Sequence, residues 1–353
     1  MAITAAMVKE LREKTGAGMM DCKKALVESN GDMEGAIDYL KKKGLSSAAK
    51  KADRVAAEGT VALKISDDGK KASMVEVNAE TDFVAKNDKF QEFAKKTVEL
   101  VFNNNFANID ELMQSEIEGV KYEDFLSTNI STIGENLVTR RFATVEAGDD
   151  ESINGYIHMG GRIGVLVKAK NGGADASKVE EFLKQLAMHI AALRPTILSY
   201  KEFDSAYVEK ETEGIAKSIE KENEELKRLG KPLKNVPQFV SKLQLTDEVM
   251  AKVEEDIKAE LKAEGKPEKI WDRILPGKVE RFIADNTLLD QQQCLLDQFY
   301  ALDDKKTVSQ VVEEKSKEFG GNIEIVEFTR FELGEGIEKK ADDFAAEVEA
   351  QLK

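Results

Sequence analysis

The stretch Asn78-Ala79-Glu80-Thr81-Asp82-Phe83-Val84-Ala85-Lys86 sets an acid beside a large aromatic at a strand-to-helix junction. A short apolar run, Met74-Val75-Glu76-Val77, precedes it, and a helix pattern opens near Asn87-Asp88. A loop held at both ends by packed elements presents its side chains in a defined direction. One reading turns Phe83 and Val84 back into the core, where most large apolar side chains reside. The other makes Phe83 an aromatic wedge for a partner protein, because aromatic anchors dominate interface energetics. Neither is bond-making chemistry. The stretch has no phosphate cradle, no metal-ligand set and no catalytic dyad.

The rest of the chain offers little more to a reaction. No G-x-x-x-x-G-K-[ST] loop and no G-x-G-x-x-G turn is present, so nucleotide binding in its own right is unsupported. The two histidines, His158 and His189, are well separated, and neither has a recognisable nucleophile nearby. His189 sits beside the apolar positions Leu186 and Ile190 and reads as a structural histidine; His158 adjoins a Gly-Gly turn and reads as exposed. Cys22 and Cys294 fit a reduced compartment and give no metal-ligand spacing. The expectation is a protein that is not an enzyme and uses no cofactor or metal.

A net charge of −15 over 353 residues argues against nucleic acid as the main partner, since phosphate binding rests on Lys and Arg. It equally disfavours an anionic membrane surface. Lys41-Lys42-Lys43 with Lys50-Lys51 is the one local basic candidate, and it reads as a solvated helix end and linker. Met1-Ala2-Ile3-Thr4 opens without a basic or apolar leader pattern, and no apolar run approaches the ~20 residues that span a bilayer. The expected location is cytoplasmic.

These side chains need elements to hold them. Residues 1–44 read as three short helices: Thr4 caps the first, Thr15-Gly16-Ala17-Gly18 breaks it, Met19, Met20, Cys22, Ala25 and Leu26 fall on the second, and Gly44 ends the third. Core filling is the simpler reading of Met19 and Met20, an adaptable contact surface the other. Ser46 to Glu58 reads as a linker. Val61-Leu63-Ile65 and Met74 to Val77 form a hairpin around Asp67-Asp68-Gly69, and a helix with Phe90, Phe93, Val98 and Val101 comes next. Residues 109–137 are helical in period, and Val138 to Glu146 is a strand.

Gly155 to His158 and Ile163 to Ala169 repeat the hairpin, and a helix capped by Ser177 repeats the helix. Such a twofold platform would offer two equivalent loops to one partner. From Tyr200 to Phe282 the chain is charged and helical, and Glu225-Leu226-Lys227 with Gly230-Lys231-Pro232 recurs as Glu260-Leu261-Lys262 with Gly265-Lys266-Pro267. That echo predicts a duplicated helix-turn unit and an antiparallel helix pair, with Trp271 as an anchor for helix packing. Thr307 to Phe319 is a further helix, Ile323 to Leu333 a strand that could complete the second sheet, and Phe344, Val348 and Leu352 mark a terminal helix.

Assembled, these residues resemble bacterial translation elongation factor Ts along nearly the whole chain. The specific stretches are Val8 to Arg12, Thr15 to Leu26, Thr81-Asp82-Phe83-Val84-Ala85-Lys86, Gly161 to Val167, Ala187-Met188-His189, Arg330-Phe331-Glu332 and Gly334 to Lys339. Residues 200–270 depart from the resemblance by being longer than the common form.

The fold expected is α+β: an N-terminal three-helix (UBA-like) module over 1–54, core subdomains over 55–150 and 151–199, a helical or coiled-coil extension over 200–282, and a strand-helix part over 283–353. The resemblance implies a guanine nucleotide exchange factor that binds elongation factor Tu with GDP, displaces Mg2+ and lets GTP rebind. It places Thr81, Asp82, Phe83 and Val84 near the partner's magnesium site. Arg12, Met19, Met20 and His158 become further contacts, and residues 200–282 a candidate homodimer surface. A non-exchanging adaptor that binds through the three-helix module is the alternative.

Overall fold

A computed structural model describes residues 3–338. The expected terminal helix around Phe344, Val348 and Leu352 lies outside them. Two compact units divide the chain: residues 1–171, 175–191 and 328–353 form the first, and residues 172–174 and 192–327 the second.

The first unit opens with α1 (Ala5–Thr15), α2 (Met19–Glu28) and α3 (Met33–Ala49). Thr4 caps α1 by accepting from the Met7 N–H, and Asp32 caps α3 through the Gly35 N–H. Leu11, Ala17, Cys22, Ala25, Leu26 and Ala36 are the module's core. Gly44 does not end α3. It is buried within the helix, where a side chain would meet the Ser127 backbone, and α3 continues past it to Ala49. Packing against another helix there outweighs glycine's cost of ~1 kcal/mol, so the expected linker begins as helix, Ser46 to Ala49, and only the stretch from Lys50 to Ala57 is turn and loop.

β1 (Glu58–Ile65), β2 (Lys71–Ala79) and β5 (Leu137–Glu146) form an antiparallel sheet with β2 central. β2 is buried from Ala72 to Ala79, which is why Met74 to Val77 reads as a continuous run rather than an alternation. One face, Val75, Val77 and Ala79, shares a core with Phe90, Phe93, Val98 and Val101 of α5 (Asp88–Asn103). Between β2 and α5 stands the single turn α4 (Asp82–Ala85).

The segment 109–137, helical in period, is broken into α6 (Ile109–Gln114), a small hairpin of β3 (Glu116–Ile117) and β4 (Val120–Lys121), and α7 (Tyr122–Ile133). Positive φ at Glu118 and Gly119 makes that turn. Buried Tyr122 anchors α7, its hydroxyl lying between those of Thr97 (2.8 Å) and Thr139 (2.7 Å).

β6 (Glu151–His158) and β7 (Ile163–Lys170) are the second hairpin, followed by α8 (Ala176–Leu193). The helix cap is Asp175, which accepts from the Ser177 and Lys178 N–H groups; Ser177 is one residue inside. Val179 and Phe182 are buried on α8 as Phe90 and Phe93 are on α5, so hairpin followed by helix does occur twice. The two loops are not equivalent. The first carries α4 and an exposed aromatic, whereas the second is a glycine turn after Asn171.

In the second unit, α9 (Ser205–Arg228), α10 (Asp247–Ala263), α11 (Trp271–Asp285) and α12 (Leu288–Gln293) precede β8 (Phe299–Tyr300), β9 (Asp303–Thr307) and α13 (Val308–Phe319). The 35-residue echo proves to be a helix terminator. The Lys231 N–H reaches back to the Leu226 carbonyl (2.9 Å) and the Lys266 N–H to that of Leu261 (3.0 Å), with Gly230 and Gly265 at positive φ. Beyond the two stops the paths diverge. After α9 the chain runs without regular secondary structure, and Lys234 pairs its backbone with the Asn223 side chain. After α10, the Trp271 indole closes a turn on the Lys266 carbonyl and α11 returns against α10, with Lys278 beside Glu260 and Glu264. The duplicated unit is thus its ending alone.

The last strand, β10 (Glu324–Glu332), completes the second sheet in the order β10-β7-β6. Val61, Ala72 and Met74 of the first sheet share a core with Ile153, Leu166 and Phe331 of the second. Gly164 permits this approach: a Cβ there would lie 2.5 Å from both Met74 Sδ and Val61 Cγ1.

Candidate partner-binding surface

Thr81 starts α4 and is held from two sides. Its hydroxyl accepts from the Val84 N–H (3.3 Å) and donates to Glu135 Oε1 (2.7 Å), while its own N–H donates to Glu135 Oε2 (3.0 Å). One residue earlier, Glu80 Oε1 accepts from the Asn136 N–H (2.6 Å) and pairs with Arg54 (3.4 Å). The turn of helix that results separates neighbouring side chains. Val84 and Ala85 pack against the first core, whereas Phe83 points away from it and is 82% exposed. The core reading of the pair therefore holds for Val84 and fails for Phe83.

Beside the ring, Asp82 makes an ion pair with Lys86 (2.7 Å). The Lys86 hydrogen bond holds the Asp82 carboxyl below its ordinary range, and the charge of Arg162 adds to the effect. The site thus presents a fixed negative charge beside an unburied ring. Arg162 also pairs with Glu58 (3.6 Å) and closes the β6–β7 turn, so this hairpin tip lies near the loop. On it, His158 is half-buried with Nδ1 3.1 Å from the Tyr156 hydroxyl, and Met159 is 66% exposed at positive φ.

Arg12, Met19 and Met20 are on the three-helix module. Core filling is wrong for both methionines: Met19 is 60% and Met20 75% exposed, because Cys22, Ala25 and Leu26 take the inward face of α2. Glu135 and Asn136 escaped sequence reading, and Glu80 was given no role there although it lies in the singled-out stretch. A Gly-Glu-Asn turn carries no mark of a partner loop more than fifty positions away, though Gly134 as a helix stop was there to be read. Buried His189 fits the structural role expected of it. Among the described residues no group of three His, Cys, Asp or Glu could hold a metal ion, and no helix is long and apolar enough to cross a membrane.

The family model "Elongation factor TS" matches residues 80–236 and 234–335, a span that opens at this loop. Elongation factor Ts of Campylobacter concisus is 58% identical over 353 residues, covering 100% of both chains. That of Helicobacter hepaticus is 53% identical over 353 residues, covering 99% of each. The chain belongs to the elongation factor Ts family. It is thereby placed among the elongation factors of protein biosynthesis, with the α+β fold expected of it. The elongation factor Ts chains of these two organisms also align through residues 200–270, so the long extension is a feature they share.

Proposed function

We propose that this chain is a guanine nucleotide exchange factor for elongation factor Tu, and that the Thr81–Val84 turn is the part that expels the nucleotide. The observation that carries the reading is Phe83, an exposed ring on a turn clamped to the fold. Asp82 and Phe83 enter beside the partner's magnesium site. Their insertion would disturb the groups that hold the cation, so that bound GDP would lose its counter-charge and leave. Met19, Met20, Arg12 and His158 supply further contact.

Linkage sets the requirement. An exchanger must weaken nucleotide binding by the same factor as nucleotide weakens its own. Each tenfold step is about 1.4 kcal/mol, and a buried aromatic anchor supplies ~2 kcal/mol or more, so the prong and the outlying contacts act together. No bond is made or broken, so no active site is required of the chain. Its acidic balance suits a protein partner better than nucleic acid.

The test is stopped-flow release of fluorescent GDP from elongation factor Tu. The parent chain accelerates release, and Phe83→Ala, folded by circular dichroism, loses most of that acceleration. Exposed Met19 and Met20 favour one other reading, an adaptor that binds through its first three helices. Binding without accelerated release would establish it, and an unimpaired Phe83→Ala would remove the ring from the mechanism.

A further inference from the structure

The turn between α7 and β5 grips the Thr81–Val84 loop from outside that loop's own helix. Glu135 accepts from both the N–H and the hydroxyl of Thr81, and in return the Asn136 N–H donates to Glu80. A hydroxyl has one proton to give. With that proton on Glu135, a Thr81 lone pair is left facing the Val84 N–H, which is the cap of α4. A four-residue helix cannot nucleate by itself, so its direction is borrowed from this clasp.

The clasp is itself well founded. Gly134 closes α7 with its N–H on the Ile130 carbonyl (2.9 Å), and Ile130 and Leu137 are buried on either side. The Asn136 side chain donates to the Arg54 carbonyl (2.8 Å) and the Ala52 carbonyl (3.4 Å), tying down the chain that leaves the three-helix module.

We propose that Glu135 is a positioning residue, which aims Phe83 through Thr81 so that the ring meets the partner already in place. This rests on the exchange reading above. It predicts a division of effects: Glu135 acts on the ring only through Thr81, so its loss slows nucleotide expulsion and leaves the encounter intact.

GDP release would be followed over a concentration series of the full chain as parent, Glu135→Ala, Glu135→Gln, Thr81→Val and the Thr81→Val/Glu135→Ala double variant. Glu135→Ala lowers the maximal release rate about tenfold while the half-saturating concentration stays within about twofold. Glu135→Gln, which keeps one acceptor oxygen, falls between. The double variant is no slower than Thr81→Val alone, because both changes cut one chain of contacts. An unchanged maximal rate, a change confined to half-saturation, or additive losses would overturn the proposal. Amide hydrogen exchange across residues 80–87 separates its failure from that of the exchange reading. If the parent itself releases no GDP, protection lost in Glu135→Ala still supports the clasp, and equal protection in both overturns it.

Discussion

Asp290 shows what a single buried carboxyl can impose on a small core. It is fully buried on α12; one oxygen accepts from the Lys242 N–H (2.7 Å) and the other has no hydrogen-bond partner. Burial pushes its carboxyl up to about 6, with Asp297 adding to the rise while Lys242 opposes it. The folded chain therefore keeps a proton that the unfolded chain releases near pH 4. Between those values the native state binds more protons, so stability falls as pH rises, and the cost is complete above pH 6. Asp290→Asn is expected to gain about 1–3 kcal/mol at pH 7.5 and nothing below pH 4. Urea melts of both chains across that range check the sign. Phe83 and Asp82 were legible as a pair because their types are unusual together in a loop. Glu135 was not, because one glutamate among many announces nothing until the fold brings it to Thr81.

Elements were legible where local signals agreed. Asp67-Asp68-Gly69 between alternating strands, the apolar stripe of α5 and the span of α13 each fell where periodicity and turn chemistry coincide. They were misread where a distant surface decided. Gly44 looks like a helix end and is a helix crossing, and Gly119 turns a short hairpin inside a helical period. Gly164 belongs to the same class, since nothing local marks the approach of the first sheet. Gly164→Ala would force Met74 and Val61 aside and is expected to cost about 1–3 kcal/mol. Thermal denaturation followed by circular dichroism would report it as a lowered midpoint with native helix content kept.

For the molecule, Glu76 joins what the chain keeps far apart. It is fully buried on β2 and receives Arg140, Arg141 and the Gly334 N–H. Burial pushes its carboxyl up, but those hydrogen bonds outweigh burial and hold it below the ordinary range. Its contribution is present above the usual glutamate pKa and lost as pH falls through the lowered one. Glu76→Gln leaves two guanidinium groups short of their charge partner, and a loss of about 3 kcal/mol is expected at neutral pH. The loss, measured by urea melts, shrinks on acidification. Arg140 and Arg141 also bind the Glu335 and Glu332 carbonyls, so the same cluster seats the turn after β10.

That last strand sets the order in which the protein can be completed. β7 lies between β6 and β10, yet the whole second unit is encoded before residue 328. While the chain is being made, the β6–β7 hairpin waits with one edge open. A lone hairpin is marginally stable, and an open edge invites pairing with other chains. A transcript cut short before β10 would therefore yield a product with an adhesive border on β7, whereas a polypeptide that extends through β10 covers that border with a strand made only after the whole second unit.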